Sequence, residues 1–192
     1  MIKTEEVVTG LYAAWRLFLR DRRAVALFDD SYSGVVKSFF CAVVVLPVYV
    51  LLLFFEPGAT GANAGVFRLV GANLIAYVLL WVAWPLLMAY VAPAIDRGKE
   101  YCRYVAAGNW AVGPQMLVQL IVLLLAISGF ASKPVLELAS LIALFIVLLY
   151  HLFILRVVLR VGLFVGIGLV FGNVILNRLI LSLRSFLLSE PI

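Results

Sequence analysis

Long apolar runs separated by short polar breaks dominate the chain, and the last run sets the parity of the rest. Between positions 134 and 183 the only charges are Glu137, Arg156, Arg160 and Arg178. A helix rises about 1.5 Å per residue and the hydrocarbon core of a bilayer is roughly 30 Å thick, so one crossing uses about 20 residues. The run is too long for one crossing and fits two. A guanidinium is costly at mid-membrane and cheap among headgroups, so Arg156 and Arg160, near the middle, mark the reversal.

The same pattern predicts five spans: residues 35–55, 66–95, 105–130, 134–156 and 160–183. The first contains Pro47, and the second carries Trp81, Trp84 and Pro85 near its middle. Breaks fall at Glu56, Pro57 and Gly58 through Gly65, at the charged loop from Asp96 to Tyr104, and at Ser132, Lys133 and Pro134. Asp29, Asp30, Ser31 and Ser33 supply helix N-cap candidates ahead of the first span. Upstream, residues 4–27 read as an amphipathic helix lying on the membrane. Val8, Leu11, Trp15 and Phe18 keep a helical rhythm while Arg16, Arg20 and Arg23 fall on another stripe. The alternative is that this helix packs against the protein's own spans.

Composition turns the pattern into a fold class. The chain is 66% apolar and 13% charged with a mean hydropathy of +1.15, whereas a soluble domain is about a quarter charged. Outer-membrane strands alternate apolar and polar positions, which these unbroken runs do not. The expected fold is therefore an all-α polytopic membrane protein. It has a cytoplasmic amphipathic segment over residues 1–34 and a five-span transmembrane domain over residues 35–192. No cleavable signal peptide is visible, so the first span reads as a signal anchor.

The net charge of +5 fits an orientation better than a nucleic-acid partner. With the N-terminus inside, eleven Lys and Arg residues lie on the inner side and four, Arg68, Lys133, Arg178 and Arg184, on the outer side. The expectation is a multi-pass protein of the inner (plasma) membrane with its N-terminus cytoplasmic and its C-terminus outside. Arg16, Arg20, Arg23, Arg97, Lys99, Arg103, Arg156 and Arg160 then form one cytoplasmic face that contacts anionic lipid headgroups.

Polar and small residues inside the spans suggest packing. At about 100° per residue, Gly162, Gly166, Asn173 and Asn177 share an arc of about 60°, and Gly168 and Gly172 sit together on another face. Two narrow faces of this kind would wedge the last span between two neighbours. Helix rise places Glu137 near Asn177 at the outer side, and sets Asn73, Gln119 and Asn173 at similar depth as an intramembrane polar layer. That layer is either interhelical hydrogen bonding or a substrate path. His151, the single histidine, reads as a hydrogen-bonded neutral side chain about 8 Å from the inner face. No catalytic, cofactor-binding or metal-ligating motif is present, and Cys41 and Cys102 are too differently placed to suggest a disulfide.

The basic segment Trp15-Arg16-Leu17-Phe18-Leu19-Arg20-Asp21-Arg22-Arg23, five closely spaced spans, short loops and the tyrosine-rich segment Tyr101 to Tyr104 are features with a shared likeness. In this layout the chain resembles the bacterial branch of the Yip family, the Ypt-interacting membrane proteins. The resemblance implies a non-catalytic module that organises or adapts membranes; eukaryotic members are associated with Rab-type GTPases through a longer cytosolic tail. It carries over no functional residue. The expected partners are membrane lipids and other integral membrane proteins. The rival readings are an accessory subunit of a larger respiratory, photosynthetic or transport complex, and a small transporter or channel using Asn73, Gln119 and Asn173.

Overall fold

The computed structural model describes residues 3–55 and 65–189. Its helices are α1 (Thr4–Phe18), α2 (Tyr32–Ser38), α3 (Phe40–Phe55), α4 (Val66–Ala94), α5 (Tyr101–Ile127), α6 (Lys133–Val157) and α7 (Leu163–Ser189), with short 3-10 turns at Arg22–Leu27 and Gly98–Glu100. Among the described residues there is no strand, and five segments are long and apolar enough to cross a membrane. The protein is an all-α polytopic membrane protein. The expected break at positions 56–64 lies outside the described residues.

Helix starts and stops follow local chemistry. Ser31 caps α2, its hydroxyl accepting from the Gly34 N–H at 3.1 Å, while Asp29 accepts from the Ser31 N–H at 2.9 Å. The first apolar segment runs over Tyr32–Phe55 as α2 and α3, starting three residues before the expected position 35. Span three begins earlier still. The charged loop expected over residues 96–104 shrinks to a tight turn, and Tyr101, Cys102, Arg103 and Tyr104 form the first turn of α5. The reason is the compact stop of α4. Asp96 adopts φ 60°, its N–H bonds the Pro93 carbonyl and the Arg97 N–H bonds the Ala92 carbonyl.

The hub of the bundle is α5, against which α1, α2, α3 and α6 pack, while α7 sits mainly on α4 and secondarily on α6. Lipid tails are as apolar as the side chains, so close approach of small residues matters more than burial of oil. Accordingly α1 docks through Gly10, Ala13, Ala14 and Leu17, and α5 presents Ala106, Ala107, Trp110 and Ala111, all buried. A Cβ on Gly10 would lie only 2.4 Å from the Trp110 ring. Tyr150 of α6 reaches the same helix, its hydroxyl donating to the Ala14 carbonyl at 2.7 Å.

The amphipathic segment expected over residues 4–27 is helical to Phe18 and packs against the protein's own spans, the second of the two readings. The stripe expected to enter the interface is split: Leu11 and Phe18 are half-buried against the bundle, whereas Val8 and Trp15 are exposed with Tyr12 and Leu19. Glu6 ties the helix down at its start. Its carboxylate accepts from the Lys3 N–H at 2.8 Å and pairs with Lys37 at 2.6 Å.

For α7 the two expected glycine faces are corrected to one contact from each. Gly166 packs against Leu152 of α6, and Gly172 against Trp84 of α4. Gly162 precedes the helix and, like Gly168, has open space where a Cβ would stand. Spacing tells which residues permit approach, but neighbours decide which of them are used.

Two outcomes test this docking. Gly10→Val forces a branched side chain into a rigid indole and should destabilise the N-terminal helix by about 1–3 kcal/mol, read as increased protease sensitivity of residues 4–27 in bilayers. The Lys3 N–H, followed by Lys37, holds the Glu6 carboxyl below its ordinary pKa of 4.5. A depressed carboxyl contributes stability that is present above its unfolded pKa and lost as pH falls through the folded one. Protection of α1 in hydrogen exchange should therefore weaken under acid, below the ordinary glutamate range, and Glu6→Gln should remove that pH dependence.

Candidate functional site

Two features concentrate chemistry: a basic end of the bundle, and a half-open chamber between its helices that is lined by aromatic and aliphatic side chains with a few amides. The basic end gathers the stop of α1, the α4–α5 turn and the α6–α7 turn. Each contains one non-glycine residue in the left-handed region: Arg20 at φ 67°, Asp96 at φ 60° and Arg160 at φ 58°. The α1 stop repeats the α4 arrangement, with the Arg20 N–H on the Leu17 carbonyl and the Asp21 N–H on the Arg16 carbonyl. At the α6–α7 turn the Val161 N–H reaches the Leu155 carbonyl at 3.3 Å. Glycine is usual at such stops, and an L side chain costs about 1–2 kcal/mol in this conformation. The exposed Arg160 thus keeps a charged side chain at a position where backbone energy favours none.

The eight basic residues expected to face headgroups divide into two groups. Arg16 pairs with Asp21 and lies over the Tyr12 ring, and Arg103 pairs with Asp30. Arg20 donates to the Leu149 carbonyl at 2.9 Å, its guanidinium 4.9 Å from the Phe153 ring centre. Arg20 and Arg103 hold the end of α1 and its following loop against the bundle, and Arg16 ties α1 to its own stop. Hydrogen bonds from the Arg23 N–H and then from Arg16 hold the Asp21 carboxyl below its ordinary pKa. Arg23, Arg97, Lys99, Arg156 and Arg160 have no hydrogen bond or ion pair from their side chains among the described residues. Arg23 sits in the 3-10 turn after α1, and its backbone N–H bonds Asp21 at 2.9 Å. Arg184, expected to reach outward, is buried in the bundle at 4% exposure.

The chamber, of about 230 Å³, lies between α3, α4, α5, α6 and α7. Tyr77, Trp81, Trp84 and Tyr104 supply aromatic walls. All four are fixed by hydrogen bonds or burial. Tyr77 donates to the Ala42 carbonyl at 2.6 Å, the Trp84 indole N–H donates to the Tyr104 hydroxyl at 2.8 Å, and Trp81 is buried. Amides and the imidazole complete the lining. Asn109 donates to the buried Ser38 hydroxyl at 2.9 Å, Asn177 donates to the Asn173 carbonyl at 2.8 Å, and Gln115 and His151 share a 2.7 Å hydrogen bond.

The expected polar layer therefore takes a different form. Asn73, Gln119 and Asn173 make no hydrogen bond to one another. The Asn73 amide turns back to the Leu69 carbonyl at 2.8 Å, Gln119 has no side-chain hydrogen bond among the described residues, and Asn173 belongs to the chamber. Glu137 is exposed and does not bond Asn177. The residues that line the chamber instead, Asn109 and Gln115, sit on α5, the latter next to Pro114, and His151 is hydrogen-bonded as expected. Their signal was present as polar residues inside an apolar helix, but helical rise alone does not give the axial offset between neighbours. Among the described residues no three His, Cys, Asp or Glu side chains cluster as a metal site requires. Cys41 and Cys102 are free thiols.

Replacing Arg160 by glycine relieves the left-handed backbone and should raise thermal stability, by about 1 kcal/mol. Arg156→Gly, in a helical position, should do the reverse by a similar amount. Comparison with protein-family models, with curated proteins and with solved structures gives no match to this chain.

Proposed function

We propose that the protein is a non-catalytic membrane module of Yip-like type that organises its surroundings by engaging anionic headgroups at the basic end of the bundle. The observation that carries this reading is the division of the arginines. Some are spent on holding α1, while Arg23, Arg97, Lys99, Arg156 and Arg160 have side chains with no partner among the described residues. A basic group at a membrane surface contributes about 1 kcal/mol of attraction to acidic lipid. Beside these charges, α1 turns outward an apolar stripe of Val8, Tyr12, Trp15 and Leu19, the composition of a helix that seats in the headgroup boundary. On this reading the basic end is cytoplasmic, in keeping with the distribution of Lys and Arg.

The proposal is tested with the full chain in bilayers of mixed phosphatidylglycerol and phosphatidylcholine, by the relative immobilisation of spin-labelled forms of each lipid. Wild type should prefer the anionic lipid, and salt should reduce the preference. Lys99→Glu, Arg156→Glu and Arg160→Glu together should abolish it. Equal immobilisation of the two lipids by wild type would defeat the headgroup reading. Purification in mild detergent at fixed stoichiometry with other membrane subunits would favour the accessory-subunit reading instead.

A further inference from the structure

We propose that the chamber is a binding site for a small, neutral, ring-shaped molecule that carries oxygen substituents on its edge and partitions into the membrane, a quinone, quinol or phenol headgroup in chemical class. Four observations converge on that class: size, wall chemistry, charge and unused hydrogen-bonding capacity. An apolar cavity of about 150 Å³ accommodates benzene, so about 230 Å³ suits one substituted ring. Tyr77, Trp81, Trp84 and Tyr104 offer flat faces, and Trp84 and Tyr104 are locked to each other, which keeps those faces in place before anything binds. None of the lining residues is Asp, Glu, Lys or Arg. A charged ligand would therefore find no counter-ion at membrane depth, whereas a neutral one needs none.

The unused capacity gives the ligand its polar edge. Asn109 and Asn173 are buried at 6% and 8% exposure, and each has satisfied only half of its amide. The Asn109 carbonyl, the Asn173 amide group and the Asn177 carbonyl have no partner among the described residues. The Gln115–His151 bond likewise leaves one imidazole nitrogen and one Gln115 amide atom over, whichever way the amide is turned. Buried polar groups in a membrane interior demand partners. Donors and acceptors thus come from α5, α6 and α7, from different sides of a space walled by aromatic rings. A ring with carbonyl or hydroxyl groups at opposite positions satisfies several of them at once; a single alkyl chain satisfies none. The inference concerns binding alone and is independent of the basic end.

Gly108 provides the decisive variant. It lines the chamber, and a Cβ placed on it meets nothing within 4 Å, so a larger side chain there fills the chamber without displacing protein. The full chain in nanodiscs would be titrated with duroquinone, its hydroquinone and phenol. Binding would be read by calorimetry and by the fluorescence of Trp81 and Trp84. Tetramethylammonium serves as the cationic control. The expected result is saturable binding of at least one neutral ring, with no binding of the cation. Gly108→Leu should abolish it without lowering the thermal transition. Gln115→Met, which keeps the volume and removes the hydrogen bond, should weaken it about tenfold. Should Gly108→Leu fail to fold, Gln115→Met decides alone. Absence of saturable binding to all three rings, unchanged affinity in the variants that fold, or binding of the cation in their place overturns the proposal.

Discussion

Inside a bilayer a polar group has no water to fall back on, and an apolar side chain gains little by leaving lipid for protein. Helices must therefore be held by close contact and by hydrogen bonds made within the protein. In this chain both requirements meet on α5. Its small residues Ala106, Ala107 and Ala111 admit α1 at short range, and its polar side chains reach outward to other elements. Asn109 reaches Ser38 of α2, Tyr104 meets Trp84 of α4, and Gln115 meets His151 of α6. Each neighbour is positioned relative to this one helix, so the hairpin α6–α7, though the run that sets the parity of the spans in the sequence, is placed by its surroundings rather than placing them.

Prolines make that arrangement possible at a cost in helical hydrogen bonds. Pro114 lacks an N–H, so the Trp110 carbonyl loses its helical donor, and the Cys41 thiol lies 4.0 Å from that oxygen. Pro85 interrupts α4 in the same way, and both Pro85 and Gln115, the neighbour of Pro114, line the chamber. A regular helix pair closes on itself along its length. Interrupted ladders on two facing helices leave a place where packing does not close, and that place is where the amides and the aromatic rings collect.

Much of the fold is legible in the sequence because the membrane imposes it directly. The length of each apolar run sets a crossing, the cost of a buried guanidinium sets the reversal near Arg156 and Arg160, and Ser31 announces a helix start by its ability to accept from Gly34. The site is less legible. A span that is apolar on every side carries no azimuthal signal, so nothing in the runs tells that Gln115 faces His151 while Gln119 faces no partner. Depth counted by helical rise assumes that the helices start level. Yet α5 starts at Tyr101, inside the segment expected to be a loop, which shifts every offset counted from its presumed beginning. The docking stripe on α1 is written in the sequence as Gly10, Ala13 and Ala14 at helical spacing, but the larger apolar residues Val8, Trp15 and Phe18 carry the stronger amphipathic signal, which does not distinguish lipid from protein.

The basic end and the chamber are joined through adjacent residues. On α5, Trp110 is the seat for Gly10 of α1, and Asn109, one residue before it, lines the chamber. On α6, Tyr150 holds the Ala14 carbonyl of α1, and His151, one residue after it, lines the chamber as well. Packed helices shift as rigid pieces rather than deform continuously. A displacement of α5 or α6 along its axis therefore moves the seat of α1 and the wall of the chamber together. Two such linkages, from two helices to one, leave the N-terminal helix little freedom to change its seating unless the chamber changes shape with it.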